Sequence, residues 1–351
     1  MVTPERVLTV QTVRPWLEAI FPGGRDVPTI TPLVADASTR RYWRVRLGTA
    51  RHSRPVSCIM MLGEPWSDTE TPDFLAVGNH LRLSGVNVPR VYGALPSQGV
   101  MFLEDFGDLT LAAHWRRTAA DERLAWGWRA VDELVKLHTV GSQEGDPACP
   151  AFRLAFDVPK LLSELQFFRQ HAIEGLWSQQ LTDAEGDELD RAFGPLCTFL
   201  ASQPRYFCHR DYHGWNIMVL DRAVGVLDFQ DARMGPLPYD LVSLVCDRGT
   251  AGMLGPEVVQ ALVDHYLHRL HAEGGPAMGR HDFLELFDYV AVQRGLKAIG
   301  TFAYMTVVHG RRQYLPYIPP TLTAIKPLLR RHSLLRPLAH LLHRYVPSWG
   351  G

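Results

Sequence analysis

The stretch from Tyr206 to Asp231 constrains this chain more than any other. Two short apolar runs, Ile217–Leu220 and Val224–Leu227, flank the turn signal Asp221-Arg222-Ala223. That pattern predicts a β-hairpin. A hairpin brings its open ends together, so Asn216, just before the first run, and Asp228, just after the second, are expected to be neighbours. Asp211 lies five residues before Asn216, in the loop His209-Arg210-Asp211-Tyr212-His213 that follows the apolar Tyr206–Cys208 segment.

This arrangement meets a specific chemical demand. Phosphoryl transfer from ATP needs a metal bridge to the phosphates and a group that orients the attacking hydroxyl. Mg²⁺ takes few protein ligands, all hard oxygens, and fills its octahedron with water and phosphate. Asn216 and Asp228 supply one amide oxygen and one carboxylate, and Asp211 is then the carboxylate nearest the incoming hydroxyl. The kinase pattern His-Arg-Asp-x-x-x-x-Asn followed by Asp-Phe-Gly is met in full in its first half; the second half reads Asp228-Phe229-Gln230. The competing reading is a polar cluster that only braces a hairpin. The joint spacing, with a strand-borne Asp-Phe twelve residues after Asn216, favours catalysis.

On these residues the chain resembles the aminoglycoside phosphotransferase and choline kinase superfamily. Within it, His209-Arg-Asp-Tyr-His-x-x-Asn216, Asp228-Phe-Gln-Asp-Ala232 and Pro236-x-x-Tyr-Asp-Leu-Val-Ser-Leu244 are similar to bacterial N-acetylmuramate/N-acetylglucosamine anomeric kinases of cell-wall recycling. Asp36-Ala-Ser-Thr-Arg-Arg-Tyr42 and Gln293-Arg-Gly-Leu-Lys-Ala-Ile-Gly300 agree, so the resemblance spans nearly the whole chain. It implies an α+β, protein-kinase-like two-lobe fold: a sheet-rich, nucleotide-binding N-lobe over residues 1–104 and a mainly helical, catalytic and substrate-binding C-lobe over 105–351. It also implies ATP and Mg²⁺ as cofactors, and an inter-lobe hinge at Glu104-Asp105-Phe106-Gly107 whose backbone receives the adenine.

The N-lobe departs from the protein-kinase pattern. The loop Val34–Arg41, between strands expected at Thr29–Leu33 and Tyr42–Leu47, would cover the phosphates. Protein kinases place glycines there, yet none occurs between Gly24 and Gly48. Ser38, Thr39, Arg40, Arg41 and Arg44 are left to supply hydroxyls, amides and charge. The next strand, Val56–Leu62, carries no Lys, and the helix Pro72–Ser84 carries no Glu, so the usual Lys–Glu pair is missing. Arg44 is the candidate replacement, because a guanidinium holds phosphate oxygens bidentately. A solvated basic strand edge is the alternative for any one of these arginines.

The second half reads as helices with a few polar outliers. A helix over Glu122–His138 has a core stripe and ends at a structural His138; Val140–Phe156 reads as a loop. Asp157 is placed to cap a helix over Val158–His171, on which Glu164, Phe167 and His171 share a face. Glu164 is a substrate candidate, with a solvated carboxylate as the alternative. Asp231 is a candidate for metal assistance or substrate contact, and His213 for substrate contact. Asp240, in the first turn of the helix Tyr239–Asp247, is expected to fix the His209 loop. On the long helix Phe283–Tyr304, Gln293, Arg294 and Lys297 are neighbours in the helical period and read as its wet face. If that face meets substrate, Arg294 and its neighbours hold a carboxylate or acetamido group. Leu328–Tyr345 reads as a packed, basic, amphipathic terminal helix.

Composition closes off other classes. A net charge of −1 gives no nucleic-acid footprint. No apolar run is long enough to span a membrane and no signal pattern opens the chain, so a cytoplasmic protein is expected. The five cysteines are scattered without Cys-x-x-Cys spacing and read as reduced thiols. The expected reaction is ATP-dependent phosphorylation of an amino-sugar hydroxyl. The rivals are an aminoglycoside or choline-type acceptor, and a non-catalytic nucleotide-binding pseudokinase suggested by the missing Lys–Glu pair. Oligomeric state is not legible.

Overall fold

The computed structural model describes residues 8–23, 27–33, 40–48, 55–67, 69–143, 148–247 and 250–347. Ser38, Thr39 and most of the Val34–Arg41 loop lie outside the described residues. The elements run α1 (Val10–Ile20), β1 (Thr29–Leu33), β2 (Arg41–Arg46), β3 (Ser57–Leu62), α2 (Asp73–Leu83), β4 (Val91–Leu95), β5 (Val100–Glu104), α3 (Leu111–Trp115) and α4 (Ala120–His138). There follow α5 (Val158–Phe168), α6 (Asp183–Ala201), β6 (Arg205–Cys208), β7 (Ile217–Val219), β8 (Val224–Val226), β9 (Arg233–Pro236) and α7 (Tyr239–Cys246). The chain closes with α8 (Ala251–Ala272), α9 (Arg280–Val307), α10 (Ile318–Arg331) and α11 (Arg336–Tyr345). This is the α+β, kinase-like arrangement expected, with a sheet-rich first part and a largely helical remainder. Two compact units result: one of residues up to Leu75 with Val88–Asp108, the other of Ala76–Asn87 with Leu109 onward.

The first unit is an antiparallel sheet in the order β1-β2-β3-β5-β4. Alternation along each strand gives the sheet two faces. One is packed by Val13 and Leu17 of α1, with Phe21 just after it, against Val45, Cys58, Met60, Leu62, Val100 and Phe102. The other carries Arg44, Ile59 and Met61 on β2 and β3, opposite Met101 and Leu103 of β5. No cation stands on β3.

In the second unit α4, α5, α6, α8 and α9 form the helical body, and the β7–β8 hairpin pairs Ile217 with Val226 and Val219 with Val224. Asp157 caps α5 by accepting the Lys160 amide at 2.9 Å. The expected single helix to His171 instead leaves α-geometry after Phe168 and continues as a π-helical segment, Arg169–Leu176. Val140–Phe156, expected as a plain loop, contains short 3₁₀ turns at Val140–Ser142 and Pro150–Arg153. The expected terminal helix Leu328–Tyr345 is two helices. His332 adopts an extended backbone and Pro337 restarts the chain as α11, since proline is suited to a helix's first turn and not its interior. Its apolar side, Leu338, Leu341 and Leu342, is buried.

Candidate active site

The residues of the His209 loop are held from below. Asp240, fully buried in the first turn of α7, accepts the amide of His209 at 2.6 Å and that of Arg210 at 2.9 Å. Both of its oxygens are thereby spent on the loop backbone, the bracing role expected of it. The His209 ring meets the Leu227 carbonyl through Nε2 at 2.8 Å, while Nδ1 receives the Asp211 amide at 3.3 Å. Those two partners fix the neutral tautomer with its proton on Nε2. One imidazole thus ties the loop that carries Asp211 to the strand exit that carries Asp228.

The hairpin does bring Asn216 and Asp228 together. The Asn216 amide donates to the Asp228 carboxylate at 3.3 Å and to the Asp211 carbonyl at 3.0 Å. Gln230, where protein kinases have glycine, donates to the other Asp228 oxygen at 2.9 Å. Arg210 and Asp228 have positive φ, 82° and 64°. Left-handed backbone at non-glycine residues costs energy and gathers at functional sites. Phe229 is buried, and Gly78 of α2 leaves room for its ring: a Cβ there would stand 3.1 Å from it.

Electrostatically, Asp211 is an obligate anion. Burial alone would raise its carboxyl, but Lys297, Arg210, Arg294 and His213 outweigh that and hold it far below the usual range. Lys297 lies 3.5 Å from Asp211 Oδ1.

The polar trio of α9 corrects its expected placement. Gln293 and Arg294 are buried and not on a wet face. Arg294 donates to the Arg210 carbonyl and the Ser243 hydroxyl, each at 2.7 Å, and lies over the Tyr239 ring. It is built into the floor of the loop. Gln293 donates to Glu164 at 2.9 Å. Glu164 is buried rather than solvated, with Lys160 at 3.2 Å and Arg210 at 3.7 Å. Burial would raise its carboxyl; Lys297, Lys160, the Gln293 hydrogen bond and Arg210 together hold it below the ordinary value. Farther along the two helices Phe167, His171 and Tyr304 pack as an aromatic group. His213 lies in the loop, its amide on the Asp211 carbonyl, and Asp231 is exposed.

In the first unit, Arg44 is not placed as expected. Its Nε and Nη2 donate to Asp105 at 2.8 and 3.0 Å, its Nη1 to Asp108 at 2.7 Å, and Nη2 also to the Gly107 carbonyl. All three nitrogens are committed to the turn after β5, which leaves no bidentate face for phosphate. Arg41 lies over Trp43, on the α1 side of the sheet. The Glu104 side chain accepts the Arg90 amide. A cavity of about 590 Å³ in this unit is lined by Arg40, Met61, Trp66, Phe74 and Met101 among others.

Asn216 and Asp228 fit Mg²⁺. Both offer hard oxygens, and their side chains are neighbours at the open end of the hairpin. The buried trio His138, Cys208 and Asp240 does not fit a metal: Asp240 is spent on two amides, His138 Nδ1 meets the Tyr266 hydroxyl at 2.7 Å, and burial pushes the Cys208 thiol well up.

Residues 29–284 match the model of the phosphotransferase enzyme family. The chain belongs to that family. N-acetylmuramate/N-acetylglucosamine kinases of Neisseria meningitidis serogroup B and Pseudomonas aeruginosa are each 32% identical to this phosphotransferase. The first covers 94% of both chains and the second 95% of both. The solved spectinomycin phosphotransferase in complex with ADP and spectinomycin shares the fold at 13% identity, with a TM-score of 0.60 over 96% of this chain and 100% of that one. This phosphotransferase is thus an ATP-dependent kinase of small molecules. Two features escaped sequence reasoning: the Gln293–Glu164 pair and the nearness of Lys297 to Asp211. A usable signal existed, since Lys occurs only at 136, 160, 297 and 326 and two of those four meet at this site.

Proposed function

We propose that the chain phosphorylates the anomeric hydroxyl of N-acetylmuramate or N-acetylglucosamine in peptidoglycan recycling, using Mg-ATP in the cytoplasm. The carrying observation is the likeness, over nearly the whole length, to relatives bearing that name, on a chain whose Asp211, Asn216 and Asp228 sit together. In this reading residues 1–104 bind nucleotide and 105–351 carry catalysis and acceptor.

Asn216 and Asp228 would hold Mg²⁺, which supplies charge neutralisation of the phosphates when bound. Asp211 accepts a hydrogen bond from the acceptor hydroxyl and takes its proton as the bond to phosphorus forms. A carboxylate held so far down is a weak base. In a loose transition state the hydroxyl needs orientation more than early deprotonation, and an anomeric hydroxyl is more acidic than an ordinary alcohol. Glu164, which accepts a hydrogen bond from Gln293, would accept another from a sugar hydroxyl or the acetamido N–H. Asp231 and His213 complete the proposed acceptor side. Ser38, Arg41 and the Glu104 backbone remain the proposed nucleotide contacts of the first lobe.

The test is coupled ADP release with N-acetylmuramate, N-acetylglucosamine, kanamycin and choline, with Asp211→Asn as the blank. Turnover confined to the acetylated sugars is expected. Turnover of kanamycin or choline alone would discard the acceptor, and nucleotide binding without turnover of any would support the pseudokinase reading instead.

A further inference from the structure

We propose that Lys297 is a catalytic residue whose ammonium contacts the phosphoryl group in transit beside the Asp211 carboxylate. The proposal rests on the kinase reading above and adds to it a residue from α9, far in sequence from the His209 loop and the hairpin.

The reaction needs a cation at the transferred group. Charge in the transition state spreads over three equatorial phosphoryl oxygens, and catalysis is mainly positioning and electrostatic stabilisation. The usual strand lysine is absent from β3. Arg44 is closed off by Asp105, Asp108 and the Gly107 carbonyl. Around Asp211 Arg294 and Lys160 are also occupied, and Arg210 faces a second carboxylate. Arg294 is spent on the Arg210 carbonyl and Ser243, and Lys160 is paired with Glu164 at 3.2 Å. Arg210 carries its charge toward Glu164 at 3.7 Å.

Lys297 differs from these. Its contact with Asp211 Oδ1 is 3.5 Å, long against the 2.7–2.9 Å typical of charge-assisted hydrogen bonds. An ammonium has three donors, and this contact engages at most one. The side chain is 17% exposed, so it is shielded enough for its charge to count yet open to an incoming group. A compact point charge on a short approach suits a phosphoryl group passing the Asp211 carboxylate. Its stem is held on α9, where Gln293, Arg294 and Leu296 are buried.

The experiment compares wild type with Lys297→Met and Lys297→Arg. Calorimetry would measure binding of Mg-ADP alone, then of Mg-ADP with aluminium fluoride and the acceptor, a mimic of the phosphoryl group in flight. Lys297→Met is expected to keep its Mg-ADP affinity within about twofold and lose about 10²–10³ in affinity for the mimic, the range seen when one transition-state donor is removed. The kcat should fall by a similar factor with both KM values little moved, and Lys297→Arg should recover part of both losses. Unchanged mimic affinity in Lys297→Met would overturn the proposal while leaving wild-type turnover, and so the kinase reading, intact. It would equally be overturned if kcat held and only the KM for N-acetylmuramate rose, because Lys297 would then be a contact for the acceptor's carboxylate. A wild-type enzyme that turned over none of the acceptors would remove the functional reading and this proposal together.

Discussion

The Nε2–H of His209 donates to the carbonyl of Leu227 across 2.8 Å. Through that bond the loop bearing Asp211 and the strand exit bearing Asp228 are one piece. His209→Phe keeps the ring volume and removes both of its hydrogen bonds, stranding the part-buried Leu227 carbonyl. A loss of about 1–3 kcal/mol is expected, read from urea midpoints. Because the loop loosens without losing Asp211, kcat should fall more than nucleotide affinity.

Asp211→Asn and Asp228→Asn should separate chemistry from fold. Asparagine is nearly isosteric with aspartate and the Asp211 side chain is 33% exposed, so the fold should survive and circular dichroism should be unchanged. Turnover should drop by at least about 10²-fold in Asp211→Asn, the lower end of what general acid–base catalysis contributes, and should be lost in Asp228→Asn with the metal's carboxylate. Asp228→Asn alone should also raise the Mg²⁺ concentration needed for half-maximal nucleotide binding. Near-native kcat in either variant would refute the assignment.

Arg44→Met tests whether that guanidinium serves structure or phosphate. The Asp105 side chain is only 6% exposed. It also accepts from Ser57 at 2.8 Å, so removing Arg44 leaves a largely buried carboxylate without its countercharge. Breaking such a pair costs about 3–5 kcal/mol. The expected result is a lower Tm, with Arg44→Met/Asp105→Leu recovering most of it. A KM for ATP that rose tenfold at unchanged Tm would return Arg44 to the phosphates.

The Glu164 carboxyl is held below its ordinary value, so its folded pKa lies under its unfolded one. Such a group stabilises the fold above the unfolded value of about 4.3. That stability is lost as pH falls through the folded value. The difference in urea stability between wild type and Glu164→Gln should therefore stay constant above about pH 5 and shrink in acid. A difference that grew on acidification would contradict the sign of the shift.

Local spacing made the catalytic core legible. His209, Asp211, Asn216 and Asp228 lie within one loop and one hairpin, where turn residues and short apolar runs determine neighbours. Asp240 was legible because a carboxylate in a helix's first turn has a limited set of uses. What was hidden depends on contacts between distant segments. The Arg44 partners lie 61 and 64 residues away and follow only from the strand register. The α9 helix is buried nearly all round, so its periodicity carries no inside or outside, and Gln293 and Arg294 could not be assigned a face. The π-helical segment after Phe168 has no signal in its residue pattern.

Gly300→Ala tests whether the spacing of α5 and α9 sets acceptor binding. A Cβ at 300 would stand 2.7 Å from the Phe168 Cα and 3.0 Å from its amide nitrogen. Those are backbone atoms, so one helix must move. Five residues earlier, a Cβ at Gly295 would meet the Cγ2 methyl of Ile325 at 2.6 Å, a side-chain atom and not backbone. Gly300→Ala should therefore cost about 1–3 kcal/mol and Gly295→Ala less, both read by urea denaturation. The shift should also part Glu164 on α5 from Gln293 on α9, now 2.9 Å apart. If that pair faces the acceptor, KM for the sugar rises several-fold in Gly300→Ala while KM for ATP holds. Equal changes in both constants would place the α5–α9 seam in the general stability of the unit and not in acceptor recognition.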